Sequence, residues 1–141
     1  MVSDISSGAE RSYVMSQVRS KNTKPELIVR SYLHRLGFRF RIHVRKLPGN
    51  PDVVLPKYKC AIFVNGCFWH RHKDCPRASM PSTRVDFWKA KFARNISRDK
   101  ENSCLLRKAK WKVFTVWECE IAKVSLRSKK LSELANEIIQ P

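Results

Sequence analysis

CAIFVNGCFWHRHKDC, residues 60–75, is the stretch that decides how this chain is read. It opens as an apolar strand, Cys60–Val64, and turns at Asn65-Gly66. Two cysteines, two histidines and the pair Phe68-Trp69 then follow within nine residues, 67–75. A strand that only supports a core does not end in such a concentration of ligand-type side chains and aromatics. Chemistry is expected where this strand ends.

Working outward, Asp52–Leu55 reads as a short strand and Pro56–Lys59 as a tight connection, with Cys60–Val64 the antiparallel mate. Leu47–Pro51 is a turn. Before it, Phe38–Arg45 alternates apolar and basic residues, the pattern of a half-buried strand with a cationic open face. Thr23-Lys24-Pro25-Glu26 is a capping box with proline inside the first turn. The helix it starts runs through Leu27, Ile28, Tyr32, Leu33 and Leu36 to a stop at Gly37. On the other side, a long helix is expected from Ser82/Thr83 to about Lys110, with Trp88, Phe92 and Ile96 on one stripe. Asn102-Ser103 is its weak point. Trp111–Trp117 is a last strand, and Leu131–Ile139 a C-terminal helix. Residues 1–22 read as a polar, basic arm or short helix carrying Val14, Met15 and Val18. With no repeat and no linker, residues 1–141 are expected to form one α/β domain.

Charge is the strongest global signal. Lys and Arg number 29 against 12 Asp and Glu, a net charge of +17 with pI ≈ 10.2, on a chain that is 43% hydrophobic. Such an excess on a foldable domain points to a polyanion, above all nucleic acid, rather than to a merely soluble cationic protein. Much of it falls on the long helical segment, where Arg84–Lys112 is interrupted only by Asp86, Asp99 and Glu101. There is no basic amphipathic anchor, no apolar run near the roughly 20 residues of a bilayer span, and no signal-peptide core. A cytoplasmic, nucleic-acid-binding protein is the expectation. Five cysteines, an odd number in a reducing compartment, favour metal ligation over disulfides.

Three constellations carry the chemistry. Cys67-x4-His72-x2-Cys75, joined by Cys119 after the last strand, offers the Cys3His set of a closed structural zinc. Free cysteines packed as small apolar groups are the alternative, which suits Cys60 and Cys104. Asp52 is the only acid between Glu26 and Asp74. It is either a turn aspartate or, in a binder of polyanions, the holder of a divalent cation such as magnesium. His70, just past the neighbouring strand, is a general-base candidate or one more residue of the ligand loop. Phe68, Trp69 and Trp88 are either core or wedges that enter a base stack.

PD at 51–52, GCFWH at 66–70, TRVDFW at 83–88, Asn95-x2-Arg98-Asp99 and VWEC at 116–119 together resemble the very short patch repair (Vsr) endonucleases. The resemblance covers residues 11 to 124. It implies a restriction-endonuclease-like PD-(D/E)xK fold, a mixed central sheet flanked by helices with a structural zinc. It also implies nicking of one DNA strand beside the thymine of a T·G mismatch, the product of 5-methylcytosine deamination. Asp52 and the Val64 carbonyl would hold magnesium, His70 would be the general base, and Asp99 would support it. Asn95 would lie near the scissile site, with Glu26 implicated beside its capping role. Cys67, His72, Cys75 and Cys119 would hold zinc. Phe68, Trp69 and Trp88 would intercalate, Met15 would wedge from the opposite groove, and Arg84 would contact DNA. A monomer is implied, linked in function to a DNA cytosine-5 methyltransferase and other repair proteins. The acid-x-Lys of the wider class is replaced here by Val64-Asn65-Gly66, with His70 compensating. The rival reading is a non-catalytic, zinc-stabilised DNA-binding protein.

Overall fold

Thr23 starts the first helix as its side chain accepts from the Glu26 amide at 3.4 Å, with Pro25 in the opening turn. A computed structural model describes residues 22–141 of the chain. Residues 1–21, and with them Met15 and nearly all of the expected arm, lie outside the described residues. Helix α1 spans Lys24–Arg35. The Glu26 side chain reaches past Thr23 to the Asn22 amide at 3.2 Å, one residue further than a standard capping box. The helix ends as expected. Gly37, at φ +89, lets Phe38 N–H reach the Leu33 carbonyl at 3.1 Å and Gly37 N–H that of His34 at 3.0 Å.

The strand expected over Phe38–Arg45 shrinks to β1, Arg41–Ile42, paired antiparallel with Val54 and Val53. Its partner β2 is only Val53–Leu55, preceded by Pro51 and followed by a 3-10 turn that begins at Pro56, so there is little ladder to pair with. His43, at φ +50, then turns the chain out of the sheet. The alternation still has its meaning, since Phe38 and Phe40 pack against the core while Arg39 and Arg41 stay exposed. Strand β3, Cys60–Asn65, pairs antiparallel with β2 (Val53↔Ile62) and parallel with β4, Lys112–Trp117 (Ile62↔Phe114). The sheet is mixed, in the order β1-β2-β3-β4.

The parallel pairing of β3 and β4 needs a crossover, and helix α2, Val85–Lys108, is part of it. It runs unbroken through Asn102-Ser103, against expectation. Both residues are half-buried, and a Cβ added at Gly49 would stand 3.0 Å from Asn102 Cβ, so packing overrides their modest helix propensity. The buried stripe is Trp88, Phe92, Asn95 and Leu106, and Ile96 falls outside it, 38% exposed. After β4 come α3, Glu118–Ala122, and α4, Val124–Ile139, which starts seven residues before the expected Leu131. Val124 and Leu126 are exposed, so the first turns of α4 carry no apolar face to read. Val29 and Leu33 of α1 and Leu131, Leu134 and Ile138 of α4 meet Leu55, Cys60, Ile62 and Val116 of the sheet in the main core. No helix among the described residues is long and apolar enough to cross a membrane.

Candidate active site and ligand loop

The β2–β3 register sets the first carboxylate. Asp52 N–H donates to the Ile62 carbonyl at 3.0 Å, and Val64 N–H donates back to Asp52 Oδ2 at 2.7 Å. Asp52 is thereby held beneath the end of β3. Burial pushes its carboxyl up to about 6; the Val64 amide opposes that rise and the nearby Glu26 carboxylate adds to it. Glu26 is 2% exposed. Its Oε2 accepts from Arg30 Nη2 at 2.8 Å and lies 3.1 Å from His43 Nε2. Ligand atoms of Glu26, His43 and Asp52 all stand within 4.8 Å of one another.

Beyond Gly66 the chain coils back on itself, with His70 N–H on the Gly66 carbonyl and His72 N–H on that of Cys67. His70 Nδ1 meets Asp99 Oδ2 of α2 at 2.7 Å, which fixes the proton on Nδ1 and leaves Nε2 as an acceptor. Glu26, Asp52, Val64, Phe68, Trp69, His70 and Asp99 all line one cleft of about 890 Å³. The oxygen donors of the half-buried Asp52 and the buried Glu26 suit a hard divalent cation.

Three expected site residues stand elsewhere. Asn95 is 8% exposed, donates Nδ2 to the Trp69 carbonyl at 3.0 Å and accepts from Arg98 Nη2 at 2.9 Å, so it braces the loop from behind. Trp88 is 8% exposed and lies under Phe68 and Trp69, with ring centroids 5.7 and 5.9 Å away. Arg84 is exposed at the start of α2, its guanidinium 4.5 Å from the Phe87 ring centre. Phe68 and Trp69, half-buried and edge-to-face at 5.1 Å, therefore form the upper layer of an aromatic stack based on Trp88 and Phe92.

The second cluster is Cys67, His72, Cys75 and Cys119, whose ligand atoms lie within 4.8 Å of one another. His72 Nδ1 is 3.6 Å from Cys67 Sγ and 3.3 Å from Cys119 Sγ. Sulfur and nitrogen bound tetrahedrally to one zinc stand about 3.6 Å apart, so the donor set fits that ion. Burial pushes the Cys67 thiol up to about 12, and Trp117 stacks on the His72 ring at 4.2 Å. A soft divalent cation is what such a thiol requires to become a thiolate.

Sequence reasoning missed His43, Glu118 and Arg71. Glu118 Oε1 accepts the Cys67 amide at 3.0 Å, tying the ligand loop to α3. Arg71 lies 4.0 Å over Phe92 and donates to the carbonyls of Phe68 and Ala78, joining loop to aromatics. Glu118 carried a signal, its place beside Cys119 in VWEC; His43 and Arg71 were hidden among basic neighbours.

Residues 3–77, which include Asp52, His70 and the ligands Cys67, His72 and Cys75, match the family described as DNA mismatch endonuclease Vsr. The chain belongs to the Vsr family. The likeness extends over nearly its whole length. The type II nicking enzyme V.XorIIP of Xanthomonas oryzae pv. oryzae is 42% identical over 133 residues, 94% of this chain and 97% of that protein. V.NmeAIP of Neisseria meningitidis, also a type II nicking enzyme, is 41% identical over 97% of each chain. The DNA mismatch endonuclease Vsr of Escherichia coli is 36% identical over 98% of this chain and 88% of that protein. Asp99 and Cys119 lie past the 3–77 match, inside the part aligned with these relatives.

The raised Asp52 carboxyl has a consequence for stability. Folded Asp52 takes up its proton near 6, whereas unfolded aspartate does so near 3.9, so between those values the folded state binds more protons. Stability of the metal-free protein should fall as pH rises from about 4 through 6 and carry the full penalty above that. Asp52→Asn should accordingly be more stable than wild type at pH 8 by about 1–3 kcal/mol, and equal to it at pH 4. Urea unfolding at both values, in chelator, measures the difference. A gap that is unchanged or larger at pH 4 would contradict the burial argument.

Proposed function

We propose that this Vsr-family protein nicks one strand of duplex DNA beside the thymine of a T·G mismatch, and so initiates very short patch repair. What carries the reading is the one cleft in which the half-buried Asp52 carboxylate, the Asp99-held His70 and the Phe68-Trp69 pair face the same space. Asp52 and the Val64 carbonyl would hold magnesium, with Glu26 behind them. Bound there, the ion supplies Lewis-acid stabilisation of the charge that develops on the phosphate oxygens. His70 Nε2 takes a proton from water as the water oxygen bonds to phosphorus in line and a bridging P–O bond breaks, the departing sugar oxygen taking up a proton from solvent. Asp99 holds the imidazole in the required tautomer and stabilises the imidazolium that results. Asn95 fixes the loop that carries Trp69, and Arg98 and Arg84 face the phosphate backbone.

The zinc cluster is structural on this reading: it gathers a loop that has no core of its own and aims His70 and Trp69 from it. PD at the start of β2, beside the end of β3, supports assignment to the restriction-endonuclease-like PD-(D/E)xK class, with His70 in place of the missing lysine. The protein would act as a monomer and a single endonuclease domain over 1–141, bound to DNA in the cytoplasm, with residues 1–22, Met15 among them, as a DNA-contacting arm. A cytosine-5 methyltransferase would generate the lesion's precursor, and further repair proteins would complete the patch.

A T·G duplex with added magnesium should be nicked on the thymine strand, a matched duplex should not, and a non-catalytic binder would only shift both. Asp52→Ala should abolish nicking while binding survives, and His70→Ala should lose roughly 10²–10⁴-fold. Full activity of Asp52→Ala would end the mechanism.

Purified protein should contain zinc, one per chain, by elemental analysis. Cys119→Ser should lose it along with folding stability rather than activity alone. Active, folded protein free of zinc would remove the site.

Trp69→Ala should weaken mismatch binding by about 1–3 kcal/mol and leave matched-duplex binding nearly unchanged. Trp88→Ala should instead lose about 3–5 kcal/mol of stability, because its ring is buried. Titration calorimetry and denaturant unfolding on both variants check the division; the reverse pattern would return Trp69 to the core.

A further inference from the structure

His43 occupies a position that neither the expected magnesium ligands nor a surface role explains. Its backbone is left-handed at φ +50, and its N–H reaches the Asp52 carbonyl at 3.4 Å. That turn carries the imidazole to Glu26, 17 residues away, with Nε2 at 3.1 Å from Oε2. Arg30 Nη2 stands 3.1 Å from the same Nε2 and 2.8 Å from Glu26 Oε2. A guanidinium nitrogen can only donate, so Nε2 faces it with its lone pair, not with a proton. Glu26 and His43 thus turn two acceptors on one cationic group, with the Asp52 carboxylate within 4.8 Å of both. Two ligand atoms at right angles on a cation with bonds of about 2.1 Å stand about 3.0 Å apart. Arg30 occupies the place of an ion, and its other arm, Nη1 on Asn22 Oδ1 at 3.0 Å, gives it somewhere to retreat.

We infer that His43 is a nitrogen ligand at the catalytic centre, forming with Glu26 and Asp52 a mixed oxygen–nitrogen site that binds a transition-metal divalent cation, manganese, more tightly than magnesium. Magnesium takes oxygen ligands and gains little from an imidazole, whereas first-row transition metals accept one readily. Arg30 is the internal cation that offsets Glu26 until metal enters. The inference rests on the reading of Asp52 as a metal carboxylate.

The experiment titrates Mn2+ into the zinc-loaded His70→Ala protein bound to a mismatched duplex, a form that retains Asp52 and His43 and removes the imidazole of His70, which lines the cleft. Loss of the free Mn2+ paramagnetic resonance signal gives the affinity, and electron spin echo modulation reports any directly bound 14N. Bound Mn2+ should show nitrogen coupling, and adding His43→Asn, a residue that tolerates the left-handed backbone, should abolish it. That change should weaken Mn2+ by about tenfold or more. Competition by Mg2+ should change by less than about threefold. Since the coupling is read with His43 intact, failure of the His43→Asn chain to fold leaves the test standing. Mn2+ that depends on Asp52 but shows no nitrogen coupling would overturn the role of His43 alone. Mn2+ binding indifferent to Asp52→Asn would overturn the metal reading of Asp52, and this inference with it.

Discussion

The 2.7 Å hydrogen bond from the Val64 amide to the Asp52 carboxylate is the contact on which the rest of the site depends. It joins the start of β2 to the end of β3, and it exists only in the observed register, Val53 opposite Ile62. A slip of one residue would turn Ile62 out of the core and carry Asp52 to the other face, so burial of Ile62 and Val53 enforces the position of the carboxylate. The core therefore specifies the chemistry. Burial destabilises the ionised carboxylate, one amide relieves it only in part, and Glu26 makes it worse. The centre is under electrostatic stress that a divalent cation would relieve.

The same logic runs across the molecule. A chain with net charge +17 attracts DNA everywhere on its surface, yet its cleft gathers Glu26, Asp52, Asp99 and Glu118. Acids gathered in a cleft that is proposed to receive a phosphate are tolerable only if each has a partner. Asp99 has His70, Glu26 has Arg30 and the Asn22 amide, and Glu118 has the Cys67 amide. Asp52 has one amide and, alone of the four, no side-chain partner among the described residues. A divalent cation at Asp52 would supply the missing partner.

Much of this was legible in the sequence, for local reasons. The capping residues of α1, the Pro-bracketed β2 and the ligand types of the 67–75 loop are all written in neighbouring positions. What stayed hidden depended on residues far apart. The length of β1 is set by β2, which offers three residues, and no reading of Phe38–Arg45 alone shows that. His43 becomes meaningful only when α1 brings Glu26 to it. Asn102-Ser103 looked like a break because propensity is a local quantity, while their packing beside Gly49 is not. In the case of Trp88 the spacing with Phe92 was itself the sign of a buried stripe, and the aromatic motif drew attention from it.

The unbroken course of α2 is what makes one site out of separate parts. Trp88, Phe92, Asn95, Asp99, Asn102 and Leu106 follow one another at three- and four-residue steps, the spacing of a single helix face. In that order the face supplies the base of the aromatic stack, the brace on the Trp69 carbonyl and the partner of His70. Next come the packing beside Gly49 and an anchor in the buried interior. A kink at Asn102-Ser103 would leave the first three on a segment free to rotate against the sheet, and Asp99 would no longer be fixed relative to Asp52. Because Leu106 is fully buried and the helix is straight through the polar pair, the aromatics and the base–carboxylate pair are indexed to the same rigid body. Displacement of Trp69 by a stacked base would then be felt at Asn95 and, one turn on, at Asp99. Under the proposed function, recognition and chemistry would share a helix face, and a mismatch would have a direct mechanical path to His70 and Asp99.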